Sequence, residues 1–311
     1  MEHTQTPLLE VSDLSVSFRM YGGGLEQRQL PVISSLSLRV LPGEILAVAG
    51  SSGSGKSLLA SAILGILPDN ATVSSTLQFD GEPLTPERQA RLRGTEIALV
   101  PQSVAFLDPL MKVGAQADGH RKPRPTARRR ALFRRFGLPE KTERLYPFQL
   151  SGGMARRVLV STALLSEARL IIADEPTPRM SLEQAKEALS MFRAMADAGK
   201  GVVLITHDID LAFHIADRIA VFYAGSTVET APAADFRRGP EALRHPYSQA
   251  LWRAMPQHGF QPIPGFQPYA GNLPQGCLFA PRCPHRTAEC EQAVPPMETV
   301  RGGEVRCYHA T

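Results

Sequence analysis

Between Leu8 and Val40 apolar and polar residues alternate, as in LLEVSDLSVSF and VISSLSLRV. A period of two is the mark of strands with one buried face, so antiparallel strands are expected there, with Gly22, Gly23 and Gly24 marking the loop between them. The pattern then changes. Residues 44–49, EILAVA, are nearly all apolar and predict a buried strand. It runs through GSSGSGKS into a helix expected from Lys56 to about Leu67, where Pro68 stops it. Further strands are expected near 75–80 and 96–100. Strand and helix alternate again at RLIIAD (169–174), SLEQAKEALSMFRAMADAG (181–199), GVVLITH (201–207) and DIDLAFHIAD (208–217). RIAVFYAG and STVET read as a closing hairpin. Such alternation predicts an α/β fold, a mainly parallel sheet covered by helices on both faces.

Two stretches break the alternation. From about 103 to 147 the chain is rich in Arg and Pro, and a small helical subdomain is expected over about 103–165. After Arg244 the prolines crowd: nine of the chain's 26 lie between Pro256 and Pro296, which excludes long helices and central strands. An irregular tail needs a staple, and all four cysteines, Cys277, Cys283, Cys290 and Cys307, sit inside it. The boundaries expected are 8–243 for the main domain and 244–311 for the extension.

Composition adds only exclusions. With 43% hydrophobic residues in 311, a sizeable core is possible. The net charge of +4 decides between no partner classes. No apolar run approaches the ~20 residues of a membrane span, and the N-terminus has no signal-peptide pattern. A soluble, cytosolic chain is expected, and in a reducing compartment four clustered cysteines suggest a metal site rather than disulfides.

The candidate chemistry starts at Gly50, Ser51, Ser52, Gly53, Ser54, Gly55, Lys56 and Ser57. These match the phosphate-loop pattern at every fixed position, between a strand and a helix. Glycines let backbone N–H groups close around a polyphosphate, and the following helix presents its positive end. Lys56 would reach the β- and γ-phosphates, and Ser57 would ligate Mg²⁺. The bland alternative is a flexible Gly/Ser turn. Asp174 ends the LIIAD strand, where ligands of parallel sheets bind. It would hold Mg²⁺, while Glu175 would polarise the attacking water as general base. Alone, that acidic pair could simply cap a helix.

LSGGMARR (150–157) opens another helix, with Ser151 as a good N-cap and Gly152 and Gly153 permitting close approach of an anion. Here the chain resembles the ATP-binding-cassette (ABC) ATPases, whose signature begins LSGG. Gln102 matches their glutamine loop and His207, in ITHD, their switch histidine. The resemblance implies a P-loop NTPase core with an antiparallel β subdomain, a helical subdomain and a nucleotide-sandwich dimer. Ser151, Gly152 and Gly153 would then serve ATP held by a partner's phosphate loop. Gln102 would sense Mg²⁺ and the attacking water, and His207 the γ-phosphate. Phe18 stands where that family stacks an aromatic on adenine, with Tyr21 as alternative and a core role for Phe18 equally open.

The end of the chain narrows the resemblance. RHPYSQAL (244–251), GCLFAPRCP (276–284) and GEVRCYH (303–309) are similar to the extension of oligopeptide, dipeptide and nickel importer ATPases, a group that also handles opines and metal–chelator complexes. It implies a peripheral subunit on the cytoplasmic face of the inner membrane. That subunit would couple ATP hydrolysis to two permease subunits, with an extracytoplasmic solute-binding protein as an indirect partner. The group departs from this chain at Ser181, where an Asp is usual. That difference suggests a heterodimer with a second cassette ATPase. Other readings are a soluble cassette ATPase acting on nucleic acid or ribosomes, and a regulatory subunit with weak hydrolysis. The basic run RKPRPTARRRALFRRF (121–136) is read as a solvated helix face, with no nucleic-acid partner expected. The cysteine spacing, x5, x6 and x16, lacks the close pair usual for structural zinc. It suits a [4Fe–4S] cluster, which members of the resembled group carry, and zinc is the alternative.

Overall fold

The computed structural model describes residues 6–21, 26–51, 53–119 and 124–310. The glycine loop at 22–24, Ser52 and residues 121–123 lie outside them. In chain order the strands are β1 (Leu9–Tyr21), β2 (Gln27–Val40), β3 (Ile45–Gly50), β4 (Ala71–Phe79), β5 (Glu82–Pro83), β6 (Ile97–Val100), β7 (Leu170–Asp174), β8 (Gly201–Thr206), β9 (Arg218–Tyr223), β10 (Ser226–Pro232), β11 (Glu298–Val300) and β12 (Gly303–Val305). The helices are α1 (Lys56–Leu64), α2 (Pro86–Leu92), α3 (Val113–Asp118), α4 (Thr126–Arg135), α5 (Gly152–Leu164), α6 (Leu182–Asp197), α7 (Ile209–Ile215), α8 (Ala233–Arg238), α9 (Pro246–Arg253) and α10 (Ala288–Gln292).

Two sheets organise the chain. One is antiparallel, in the order β2-β1-β4-β5, and the other runs β11-β12-β10-β9-β3-β8-β7-β6. Within the second, β9, β3, β8, β7 and β6 are parallel. Their side chains alternate strictly between two cores. Ile45, Ala47, Ile171, Ala173, Val202 and Leu204 face the layer of α5, α6 and α7. Leu46, Val48, Leu170, Ile172, Val203 and Ile205 face α1 and the antiparallel sheet. A strand buried on both faces needs no polar side, which explains why these segments read as continuous apolar runs.

The first helix after β3 stops at Leu64, three residues before the expected end. Gly65 is left-handed, with φ 62°, and its N–H bonds back to Ala62 and Ser61. The buried Gln89 amide donates to the carbonyls of Ala62 and Ile63 at 2.9 and 3.1 Å, satisfying the helix end from outside. A Cβ at Gly65 would collide with that amide.

Among the described residues of the basic run most arginines are exposed, as a solvated face requires, but one is turned inward and several are paired. In α4, Arg129 is buried and pairs with Asp118 and, at 2.9 Å, with Glu143. Arg130 also binds Glu143 at 2.7 Å, Arg128 reaches Glu167 at 2.7 Å, and Arg135 binds Glu187 at 2.7 Å. Hydrogen bonds from Arg130 and Arg129 push the Glu143 carboxyl down to about 2.

The tail is mostly loop, as expected, but it also extends the main sheet. The hairpin β11–β12 pairs with β10 through Glu229–Val305 and Thr230–Glu304. Among the described residues no helix is long and apolar enough to cross a membrane.

Candidate functional site

Four neighbouring parallel strands, β3, β8, β7 and β6, end along one edge of the main sheet. Their carboxyl ends carry Gly50, His207, Asp174 and Gln102 respectively, so topology alone gathers residues that lie far apart in sequence.

The loop after β3 needs its glycines. Gly53 and Gly55 have φ of 77° and 89°, and a Cβ on Gly55 would approach Ile33 Cγ1 to 2.9 Å. Lys56 is buried at the start of α1, and its Nζ donates to the carbonyls of Gly50 and Ser51, both at 2.8 Å, and to Ser54 Oγ at 3.4 Å. Burial lowers its pKa, and the carboxylates of Glu175 and Asp174 act the other way. Ser57 is exposed at the mouth, beside the Asp174 carboxylate whose pKa it pulls down against burial. Ser52 lies outside the described residues.

Asp174 is buried at the end of β7, and burial raises its pKa against the pull of Ser57. Its Oδ1 is buried and has no protein hydrogen-bond partner. The same holds for Oε2 of Glu175, whose backbone sits at the strained φ of 47°. The other carboxylate oxygen of Glu175 accepts from His207 N–H at 3.0 Å and from His207 Nδ1 at 2.8 Å. With Nδ1 turned to the carboxylate, Nε2 is left toward solvent on a ring that is mostly exposed. Buried carboxylate oxygens without partners are costly in a fold. Beside a lysine and a serine hydroxyl, they fit a divalent cation and a water. Mg²⁺ therefore suits Ser57 and Asp174 by donor chemistry.

Gln102 is exposed just beyond β6, with its carbonyl held by Arg156 Nη1 at 2.9 Å. Arg156 is a residue that motif reading passed over. From α5 it also binds the carbonyls of Pro101 at 2.7 Å, Pro176 at 3.1 Å and Asp174 at 3.2 Å. It thus ties the segments at the ends of β6 and β7 together from a buried position. Its sequence signal was an arginine on a helix whose neighbours Ala155, Val158 and Leu159 are all core.

Other candidates are not gathered here. Ser151 caps α5, accepting from Met154 N–H at 3.3 Å, and with Gly152 it is exposed. Among the described residues no hydrogen bond joins Ser151, Gly152 or Gly153 to the phosphate loop. The backbone carbonyl of Arg179 would lie 3.1 Å from a Cβ on Gly153. Ser181 caps α6 in a reciprocal pair with Gln184, at 3.3 Å in each direction. Phe18 packs against the second core, whereas Tyr21 is 66% exposed.

The cysteines are all free, with Cys290 buried. Among the described residues no three His, Cys, Asp or Glu side chains stand close enough to hold a metal ion. As placed, the thiols do not form a ligand set. They do sense one another: burial first, and then neighbouring Cys277, Cys283 and Cys290, push Cys307 up to about 11 against a backbone hydrogen bond from His309. Sequence reading also missed His309, whose Nε2 lies 3.4 Å from Cys290 Sγ and whose N–H donates to Cys307 Sγ at 3.3 Å.

Residues 33–178 match the ABC transporter family, and residues 228–290 match the C-terminal region of oligopeptide/dipeptide transporters. The dipeptide transport ATP-binding protein DppD of Haemophilus influenzae is 35% identical over 97% of this chain and 95% of its own. The oligopeptide transport ATP-binding protein OppD of Mycobacterium tuberculosis is 38% identical over 93% of this chain, which spans only 50% of that relative's length. A solved ATP-binding subunit of an ABC transporter superposes with a TM-score of 0.61 at 26% identity, covering 74% of this chain and 92% of its own. The dimeric cassette MJ0796 gives 0.63 at 23% identity over 72% of this chain and 98% of its own, a likeness of fold. The chain belongs to the ATP-binding subunits of ABC transporters, in the group whose C-terminal region is that of the oligopeptide and dipeptide transporters.

Proposed function

We propose that this chain binds and hydrolyses ATP to power a peptide importer from the cytoplasmic face of the membrane. The observation that carries the reading is the meeting of Lys56, Ser57, Asp174, Glu175 and His207 at one sheet edge, with two buried carboxylate oxygens unpartnered. In it, the Gly50–Ser57 loop wraps the phosphates with its N–H groups, and Lys56 turns its ammonium toward them. Ser57 and Asp174 would hold Mg²⁺, which when bound supplies positive charge to the phosphate oxygens. Glu175 takes the proton of the attacking water, with His207 orienting its carboxylate, and Gln102 reaches in from beyond β6. Ser151 and Gly152, exposed, and Gly153, half-buried, at a helix N-terminus suit the phosphate of ATP held by a second cassette subunit. Tyr21 is better exposed than Phe18 for stacking on adenine.

Peptides are favoured over nickel or opine-type solutes because the relatives are named for oligopeptides and dipeptides. The partners in this reading are two permeases, a solute-binding protein outside, and a second, non-identical cassette. Ser181, where an Asp is usual, motivates the heterodimer. The four cysteines are proposed to clamp the extension around a metal centre, [4Fe–4S] or zinc. Burial first, and then the neighbouring thiols, raise the pKa values of Cys277, Cys283 and Cys307, a shift that a cation would relieve, although the thiols must first converge.

Glu175→Gln tests the hydrolytic role. It should retain ATP binding and lose about 10²–10⁴-fold in turnover, as removal of a general base does. Near-normal turnover would overturn the assignment. A tagged chain drawn from membranes should bring two permeases and a second cassette ATPase; two copies of this chain alone would defeat the heterodimer. Anaerobic preparations should be brown and bleach on reduction, and a colourless one with stoichiometric zinc would replace iron–sulfur by zinc.

A further inference from the structure

The extension and the phosphate loop are far apart in sequence, yet they touch. The Ser51 hydroxyl donates to Gln267 Oε1 across a separation of 216 residues. Tyr247 stands beside the same serine: burial raises the pKa of its phenol, and the Ser51 hydroxyl and backbone N–H act the other way.

Both contacts are built rather than incidental. Tyr247 is 2% exposed and packs on Tyr223 and Phe279, with ring centroids 4.5 and 5.4 Å away. Tyr223 ends β9, the strand that runs beside β3 and pairs Phe222 with Gly50. Gln267 stands on a proline-rich loop that Arg282 grips from the cysteine segment. The guanidinium donates to the carbonyls of Pro264 at 2.8 Å and Ile263 at 2.9 Å and lies over the Tyr223 and Phe279 rings at 5.9 and 6.0 Å. The anchor beneath Gln267 is therefore the same aromatic cluster that carries Tyr247.

The contacts acquire a role from what Lys56 must do. In the free loop its ammonium is bonded to the carbonyls of Gly50 and Ser51. An ammonium has three donors, so phosphates compete for them, and nucleotide binding releases the tie that Lys56 makes to Ser51. A glycine-rich loop freed of internal ties is expensive to order. The Gln267 bond and the Tyr247 contact do not involve Lys56, so they do not compete with phosphates for its donors.

We propose that the C-terminal extension positions the phosphate loop, with Tyr247 and Gln267 holding Ser51 so that the loop is already ordered when the triphosphate arrives. This rests on the reading of Gly50–Ser57 as the nucleotide site. Tyr247 and Gln267 act through Ser51 and are positioning residues. Their loss should weaken nucleotide binding without slowing the chemistry.

The test uses the full-length chain, the fluorescent analogue N-methylanthraniloyl-ATP with Mg²⁺, and steady-state ATP hydrolysis. Gln267→Ala and Tyr247→Phe should each raise Kd and KM about three- to tenfold, the worth of one or two hydrogen bonds, with kcat within about twofold. Gln267→Ala, on a surface loop, should leave the melting temperature of the nucleotide-free protein unchanged, which separates positioning from general destabilisation if Tyr247→Phe folds poorly. Unchanged affinity in Gln267→Ala would overturn the proposal. So would tighter binding, which would make the contact an obstruction. Failure of the wild-type chain to bind the analogue would instead sink the nucleotide-site reading itself, and the positioning role with it.

Discussion

Two groups of buried charge in this molecule are treated in opposite ways. Around Arg244, which is 2% exposed, each charge is answered within the fold. The guanidinium binds Asp235 at 2.9 Å, Glu229 at 3.4 Å and the carbonyls of Val300 and Arg301 at 2.5 Å. Both Glu229 oxygens are also used, by the N–H groups of Arg244 and His245 at 2.9 Å. Along the sheet edge, Asp174 and Glu175 each keep a buried oxygen without a partner, and Lys56 is bonded only to its own loop. Burying charge is costly unless partners offset it. The Arg244 node is offset internally and locks α8, α9 and the β11–β12 turn together. The sheet edge is not offset internally, and in the proposed function a triphosphate and a cation would offset it.

The contrast breaks most visibly at Arg244. Arg244→Met leaves Glu229 and Asp235 buried without their cation and should destabilise the fold by about 3–5 kcal/mol, read from urea unfolding. A loss below about 1 kcal/mol would mean that the node is not structural. Lys56→Ala should do the reverse. It should weaken ATP binding ten- to hundredfold, since hydrogen bonds to charged groups are worth about 1.5–3 kcal/mol. The nucleotide-free protein should unfold at the same urea concentration as the wild type, or a higher one. Calorimetric titration and unfolding on one preparation decide it; a large stability loss would make Lys56 a structural cation.

The smallest effect is in pH. His245 caps α9 by accepting the Tyr247 N–H on Nδ1 at 2.9 Å, and burial holds its pKa down to about 3, against 6.5 when unfolded. The unfolded chain therefore binds the proton more tightly. Stability is complete above pH 6.5 and falls as pH drops toward 3, by about 1.4 kcal/mol per unit below 6.5 for this group. Glu143, held at about 2, adds a similar loss only below about pH 4.5. In His245→Asn, which keeps an acceptor at the cap, the difference in stability between pH 7.5 and 5.5 should shrink. An undiminished difference would show that His245 is not the titrating group.

The two regions were not equally legible. Lys56, Ser57, Asp174 and Glu175 stood out because each falls in a motif a few residues long that follows or ends an apolar strand. The solvated face of α4 was legible, but the buried pairing of Arg129 was not, because the carboxylates that bind it, Asp118 and Glu143, come from other elements. Strands of three residues, such as β11 and β12, are too short to show a period. The early end of α1 depends on Gln89, which arrives from α2.

By itself the sequence determined the strand order of chemistry: a phosphate loop after one buried strand, an acidic pair after another, a histidine after a third. Hydrophobic periodicity and strand–loop–helix geometry are local, so a short window carries them. The tertiary structure alone decided which distant groups meet. It left the helix N-terminus of Ser151 exposed, made Arg156 the tie between the ends of β6 and β7, and set Tyr247 and Gln267 against Ser51. Those contacts arise from the pairing order of parallel strands and from an extension folding back onto the sheet, and neither is written in any contiguous stretch of residues.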